Sequence, residues 1–443
     1  MKKIILSLFV LLITVSGIQA KSFKSDFNSV IRDSGVNKSA ISVSVKNIAT
    51  GKTVFSLNDY TSISPASVQK ILTLIPAYEV LGEDYKFSTQ LYKRGKDEYI
   101  IKLGADPYLT SKELKVLTSY IEPDTKHIYI DDSILDNKTW GEGWQWDDDL
   151  NTSMPRFGAY NIDRNLIKLS VVPNRDGGAP VINNPSKYPL MILNNLKSSN
   201  INNIKVRRDN DISENAIVFD GEVAKQTYIY IPANNLKRFF EIKLTQCLES
   251  HNVYIKDKYT QDKVKQTDVL VYEINHDLNI AVNDILKNSN NTAAETVFKL
   301  AGGKYTNKTG TDTDGVKVFD DYCKRNNLDN SGIKIVDGSG VSKNNLVSAN
   351  FVCDFLILNK KNPVLEKLPH PGEGTMATRL LPIKDSVRVK TGTLSNISSI
   401  AGYLKTRSGK KYVFCIMIND AKLSSADKKM LENDIIREAY LKL

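Results

Sequence analysis

The chain has 443 residues, 41% of them hydrophobic, and a formal net charge of +10. That length suggests two or three domains at roughly 150 residues each, and so much apolar material excludes a disordered chain. The basic balance would draw the protein to anionic surfaces, although Lys-rich solvated faces explain it equally well; no compact basic-aromatic cluster argues for nucleic acid.

Lys2 and Lys3 precede an apolar run from Ile4 to Val15, followed by Gly17-Ile-Gln-Ala20. Residues 1–20 therefore read as a signal peptide removed after Ala20, which exports the protein to the periplasm or an extracellular cell-wall zone. The run is too short to span a bilayer comfortably. No Cys sits just after the cleavage site, so lipid attachment there is not indicated.

Residues 41–57 read as a hairpin: Ile41, Val43 and Val45 alternate, Ala49-Thr-Gly51 turns, and Thr53–Leu57 returns. A helix is predicted from near Ser67 to Gly82, with Pro76 kinking it or ending its first half. From 84 to 270 the texture changes to short strands, among them Tyr99–Leu103, His127–Ile130, Leu166–Val172 and Thr227–Ile231, separated by turn residues. Helical texture returns at Leu278–Lys287 and Thr292–Leu300. Strands follow at Val387–Lys390, Ile400–Leu404 and Tyr412–Ile418. A closing helix runs from about Ser425 to Tyr440, with Met430, Leu431, Ile435, Ile436 and Ala439 on one stripe. The expected fold class is α+β. A catalytic domain occupies 21–83 and 271–443, its terminal segments complete one sheet, and a β-rich region of two subdomains is inserted at 84–270.

Four cysteines (Cys247, Cys323, Cys353, Cys415) are too few for a disulfide scaffold and too scattered for a Cys-x-x-Cys site. The four histidines form no metal spacing, which disfavours a zinc peptidase.

Three short motifs carry chemistry. In Ser67-Val-Gln-Lys70 the two functional residues lie about one helical turn apart, so the amine can take the hydroxyl proton and activate the nucleophile. A lysine buried among other cations can lose its charge and act as that base. A helix start adds backbone donors for a developing oxyanion. Alone the pattern is poor, since it recurs at Ser331/Lys334, Ser408/Lys411 and Ser425/Lys428. In Ser289-Asn-Asn291, at a junction of helices, Ser289 can relay a proton and Asn291 can hold a substrate amide; helix capping is the bland alternative. Lys390-Thr-Gly392-Thr393 ends a strand. Lys390 can neutralise a carboxylate, Thr391 can hydrogen-bond it, Gly392 allows close approach of substrate backbone, and the Thr393 N–H can complete an oxyanion hole with that of Ser67. The same letters at Lys308-Thr-Gly310-Thr311 lie in a polar loop and read as a turn.

The ordered trio Ser-x-x-Lys, Ser-x-Asn, Lys-Thr-Gly is that of penicillin-binding proteins and class A β-lactamases. The chain resembles the D-alanyl-D-alanine carboxypeptidase/endopeptidase family of penicillin-binding protein 4 along nearly the whole mature length. Further matching segments are Gly104–Leu109, Ile130–Ser133, Gly143-Trp-Gln-Trp-Asp-Asp148, Asp163-Arg-Asn165, Asp337-Gly-Ser-Gly-Val-Ser342 and Gly374-Thr375. The resemblance implies a β-lactamase/transpeptidase-like catalytic fold with two domains inserted between the first and second motifs. It also implies acyl transfer on peptidoglycan stem peptides, acylation by β-lactams, and no metal or cofactor. Asp148 and Lys343 stand where relatives contact a zwitterionic diaminopimelate side chain. Two positions depart from the pattern: Asn290 replaces a common Asp, and Lys343 a common Arg. A β-lactamase and a non-catalytic envelope-binding protein of the same fold are the alternatives, separated by penicillin turnover and by failure of penicillin to attach to Ser67. Loose association with the membrane or cell wall is compatible with the charge.

Overall fold

The computed structural model describes residues 25–443 except Arg175, Gly177 and Lys258; the predicted leader lies outside the described residues. The hairpin forms where the β-branched alternation placed it, as Ile41–Asn47 and Thr53–Leu57. Its first strand pairs antiparallel with Lys411–Asn419, Val43 opposite Ile416 and Val45 opposite Phe414. The resulting antiparallel sheet has the order Val387–Leu394, Ile397–Lys405, Lys411–Asn419, Ile41–Asn47, Thr53–Leu57.

Both faces of this sheet are covered. Val43, Val45, Phe414 and Ile416 pack with Leu431, Ile435 and Ile436 of the C-terminal helix Ser425–Lys442. On the other face Lys46 reaches Asp354 of the helix Ala349–Leu358 at 2.6 Å, so Ser42 and Ser44 are buried too. The C-terminal helix corrects one expectation: Met430 is 57% exposed, while Lys428 and Glu432 are buried. Lys428 donates to the Asp420 and Leu423 carbonyls; Glu432 accepts from Arg379 and Ser398. Polar partners waiting on the core side set the rotation of the helix, overriding the apolar stripe.

The helix Gln69–Leu81 contains Pro76 and runs on past it, so of the two expectations the proline does not end the helix. Only Tyr78, Glu79 and Val80 in it escape burial, and packing of that extent outweighs one missing backbone bond.

Two compact units divide the chain. The one just described runs to Gly82 and resumes over Asn279–Asn290 and Asp312–Leu443; the other comprises Glu83–Leu278 and Asn291–Thr311. The second unit holds a five-stranded sheet of order Thr260–Gln261, His127–Asp131, Glu98–Lys102, Lys86–Arg94, Val269–Asp277, and two three-stranded sheets. One apolar cluster including Leu91, Ile128, Leu169, Phe219 and Phe240 runs through them. Two helices stand in this β-rich block beyond the sequence expectation: Ser111–Thr118, opened by a Thr110/Glu113 capping box, and Leu236–Glu249, capped by Asn235. The helix predicted at Thr292–Leu300 extends over Asn291–Thr306. All four cysteines are free and buried. Among the described residues no helix is long and apolar enough to cross a membrane.

Candidate active site

The first motif begins in a strained turn. Ala66, fully buried, holds φ of +45° and is followed by the 3-10 turn Ala66–Val68 that opens the helix Gln69–Leu81. An L-residue with a side chain keeps that conformation only when its surroundings impose it. Two glycines crowd it: a Cβ on Gly340 would stand 2.0 Å from the Ala66 carbonyl oxygen, and a Cβ on Gly392 would stand 2.7 Å from the Ser67 nitrogen. Ser399 completes the clamp by donating to the Pro65 carbonyl at 2.6 Å. Gly392 therefore serves the Ser67 turn, where the sequence suggested room for a substrate backbone.

One helical turn on, the Lys70 Nζ lies 2.8 Å from the Ser67 Oγ and 2.6 Å from the Ser339 carbonyl. That carbonyl is fixed by a knot of hydrogen bonds. The Asp337 carboxylate accepts from the amides of Gly340 and Ser342, Asn345 donates to it at 2.8 Å, and Thr73 donates to the Gly338 carbonyl. The Asp337-Gly-Ser-Gly segment thus positions the Lys70 amine. Lys343, just beyond it, is exposed.

Ser289 sits between the helices Leu278–Lys287 and Asn291–Thr306 with φ of +62°. Its Oγ lies 2.9 Å from the Nζ of Lys390, which also donates to the Thr391 carbonyl. Asn290 is a bracket: its side chain donates to Asp284 at 2.7 Å, so Asp at this position would set two carboxylates together. Asn291 opens its helix in the second unit and donates to the Ser153 carbonyl at 2.8 Å.

Lys390, Thr391, Gly392 and Thr393 all lie within the edge strand Val387–Leu394, opposite Ala401, Ile400, Ser399 and Ser398. Thr391 donates to the Thr375 hydroxyl at 2.7 Å; Thr393 is exposed. Lys390 is completely buried. Burial, and then the charge of Lys70, hold its pKa well below the usual lysine range. Two ammonium groups in so dry a place repel each other.

Two Ser–Lys pairs, each with a fully buried lysine, thus converge beside the edge strand Val387–Leu394. Ser339, Thr375 and Ser399 are parts of this arrangement that spacing alone could not find; only the segments Asp337–Ser342 and Gly374-Thr375 pointed near the first two. Asp148 closes the short turn Trp146–Asp148 in the second unit, and its carboxylate meets no described residue. Its neighbour Asp149 pairs with Arg208. The other Lys-Thr-Gly-Thr copy is a loop after the helix Asn291–Thr306, closed by the Lys308 amide on the Gly303 carbonyl.

Similarity to known proteins accords with this geometry. A D-alanyl-D-alanine carboxypeptidase of Actinomadura sp. (strain R39) is 25% identical, covering 89% of this chain and 80% of its own. The D-alanyl-D-alanine carboxypeptidase DacB of Haemophilus influenzae is 23% identical over 89% of this chain and 90% of its own. The crystal structure of penicillin binding protein 4 (dacB) from H. influenzae has a TM-score of 0.82 at 22% identity, covering 94% of this chain and 99% of that one. The same protein complexed with a novel beta-lactam gives 0.77 at 21% identity, with the same coverage. The description of the D-Ala-D-Ala carboxypeptidase 3 (S13) family matches residues 23–439. With a family match spanning nearly the whole chain, the chain belongs to the D-Ala-D-Ala carboxypeptidase 3 (S13) family and is a serine peptidase.

Proposed function

We propose that catalysis runs through an acyl-enzyme on Ser67 and that penicillins acylate the same hydroxyl. The Ser67 Oγ attacks the carbonyl of the penultimate D-Ala as Lys70 takes its proton. The amides of Ser67 and Thr393 receive the oxyanion. Ser289 passes a proton to the leaving amine as the C–N bond breaks, and Asn291 orients the acyl part. Lys390 and Thr391 hold the terminal carboxylate. Water then cleaves the ester, returning Ser67. A carboxylate arriving beside Lys390 favours its charged form, so substrate binding restores the proton that burial and Lys70 disfavour.

The observation that carries this reading is the 2.8 Å contact of Lys70 with Ser67, in a site where a second lysine lies close enough to repel it. The same roles serve a D,D-endopeptidase, whose leaving amine belongs to a neighbouring stem. Asp148 and Lys343 read a charged third-residue side chain. Residues 21–83 and 271–443 form the catalytic domain around an insertion at 84–270. The protein is exported to the periplasm or cell-wall zone after removal of residues 1–20, and a basic surface gives loose attraction to the anionic envelope.

The test is covalent labelling by fluorescent penicillin, read by intact mass, with Ser67→Ala as the comparison. One adduct per chain is expected in the parent and none in Ser67→Ala; an adduct that persists in the variant refutes the assignment. Mass spectrometry of products from purified peptidoglycan separates carboxypeptidase from endopeptidase action.

A further inference from the structure

The second unit contains a cavity of about 530 Å³. Four lysines line it: Lys102, Lys263, Lys304 and Lys308. They come from three separate stretches of chain: the end of the strand Glu98–Lys102, the segment after Thr260–Gln261, and the end of the helix Asn291–Thr306 with the loop beyond it. The last of these carries the second Lys-Thr-Gly-Thr sequence, to which the acyl-transfer chemistry gives no role.

A cation at a helix C-terminus is favoured without any ligand, and that accounts for Lys304 and Lys308. It does not account for Lys102 and Lys263. The Nζ atoms of Lys102, Lys263 and Lys308 make no hydrogen bond or ion pair with described residues. The acid in the lining, Asp131, is committed elsewhere: its carboxylate accepts from the Ser133 amide and hydroxyl at 3.1 and 2.6 Å and from the Val264 amide at 3.0 Å. Lys263, Lys304 and Lys308 are exposed and Lys102 is half-buried, so an anion entering the concavity meets several positive charges at once.

The loop is held in place by close packing against the helix before it. A Cβ on Gly310 would stand 2.3 Å from the Lys299 carbonyl oxygen, a Cβ on Gly303 would stand 2.9 Å from the Gly310 Cα, and Thr309 donates to the Ser133 carbonyl at 2.9 Å. Between the lysines the lining is apolar at Leu103, Ile134 and Leu300, with Tyr85 beside them. Burial pushes the Tyr85 phenol up to about 12, which keeps it a hydrogen-bond donor. A polyanion without an apolar part would leave this floor unused.

We propose that the cavity binds a sugar phosphate, its phosphate among the lysines and one face of the pyranose on the apolar floor. The volume lies in the range of small-molecule sites, roughly 300–1,000 Å³. The site is independent of acylation at Ser67, and its ligand is either a free sugar phosphate or a residue of a phosphorylated envelope glycan.

Calorimetric titration of the full chain with glucose 1-phosphate tests this, with glucose and inorganic phosphate as comparisons. Glucose 1-phosphate should bind more tightly than either, and more weakly as salt rises. The double variant Lys263→Ala/Lys308→Ala should weaken it by about tenfold or more while labelling by fluorescent penicillin stays unchanged. Affinity for glucose 1-phosphate no better than for phosphate, or unaltered in the double variant, overturns the proposal. Co-pelleting with a phosphorylated glycan, lost when the glycan is dephosphorylated, marks the polymer as the source; its absence alongside binding of glucose 1-phosphate marks the free sugar phosphate.

Discussion

At the scale of single residues, the site is built on contacts too close to admit one more carbon atom. A Cβ on Gly392 would meet the Ser399 Oγ at 2.3 Å and the Ser67 nitrogen at 2.7 Å. Gly392→Ala should therefore push the Ser67 turn off its position. A displacement of about 1 Å costs on the order of a hundredfold in rate, so penicillin labelling should slow by at least that much. A melting temperature close to the parent's would show that the loss lies in the site. Labelling at the parental rate would mean the turn can yield freely. Asp148→Ala tests substrate reading: kcat/KM on a diaminopimelate-containing pentapeptide should fall roughly ten- to a hundredfold, and a stem with a neutral third residue should hardly change. Equal losses on both would make Asp148 a structural residue.

Ser67, Lys70, Ser289 and Lys390 stood out as candidates because their spacing encodes a helical turn, a junction and a strand. The supports did not. Ser399 and Ser339 act through a hydroxyl and a carbonyl brought in from remote sequence, and no local pattern marks a serine whose partner is hundreds of residues away.

At the scale of elements, strands and amphipathic helices were legible where one face is wet, and less so where both are buried. Pro76 illustrates this: in a helix enclosed by protein, its missing amide did not set a boundary. Missed elements had signals of their own, such as the Thr110/Glu113 capping box, masked by the strand-like texture around them. The rotation of the C-terminal helix depends on Glu432, which is fully buried, accepts from Arg379 at 2.7 Å and from Ser398 at 2.6 Å, and has its pKa raised, chiefly by burial. Removing one partner of a buried ion pair costs about 3–5 kcal/mol, whereas replacing both with apolar groups is often nearly neutral. Arg379→Met should thus lower stability to urea by about that amount, and Arg379→Met/Glu432→Leu should recover much of it. A double variant no more stable than the single would show that the pair's value lies in its other bonds, such as Arg379 to Asn433.

At the scale of the whole molecule, stability against pH should show two limbs that belong to identifiable groups in the second unit. On the acid side, Asp268 is held below the usual carboxylate range first by its bond to Arg94, and Asp262 first by the Lys263 amide, with Arg94 also contributing. Carboxyls depressed by folding stabilise above their unfolded pKa, and that contribution disappears as pH falls through the folded values. The alkaline limb belongs to His276. Its Nδ1 lies 2.6 Å from the Asp106 carboxylate and its Nε2 lies 3.2 Å from that of Glu113. The bond to Asp106 is the main reason its pKa is raised above 6.5. A group whose folded pKa is raised stabilises fully below its unfolded pKa, and that stability is lost as pH rises through the folded value. The tryptophans, Trp140, Trp144 and Trp146, all belong to this unit, and Trp144 is buried against Phe157, so their fluorescence reports its unfolding. In urea titrations followed by that signal, the midpoint should decline as pH rises from about 6.5 through the raised histidine value. His276→Gln, which cannot carry the charge, should start lower at pH 6 and show little of that decline. A decline of parental steepness in His276→Gln would assign the alkaline limb to other groups.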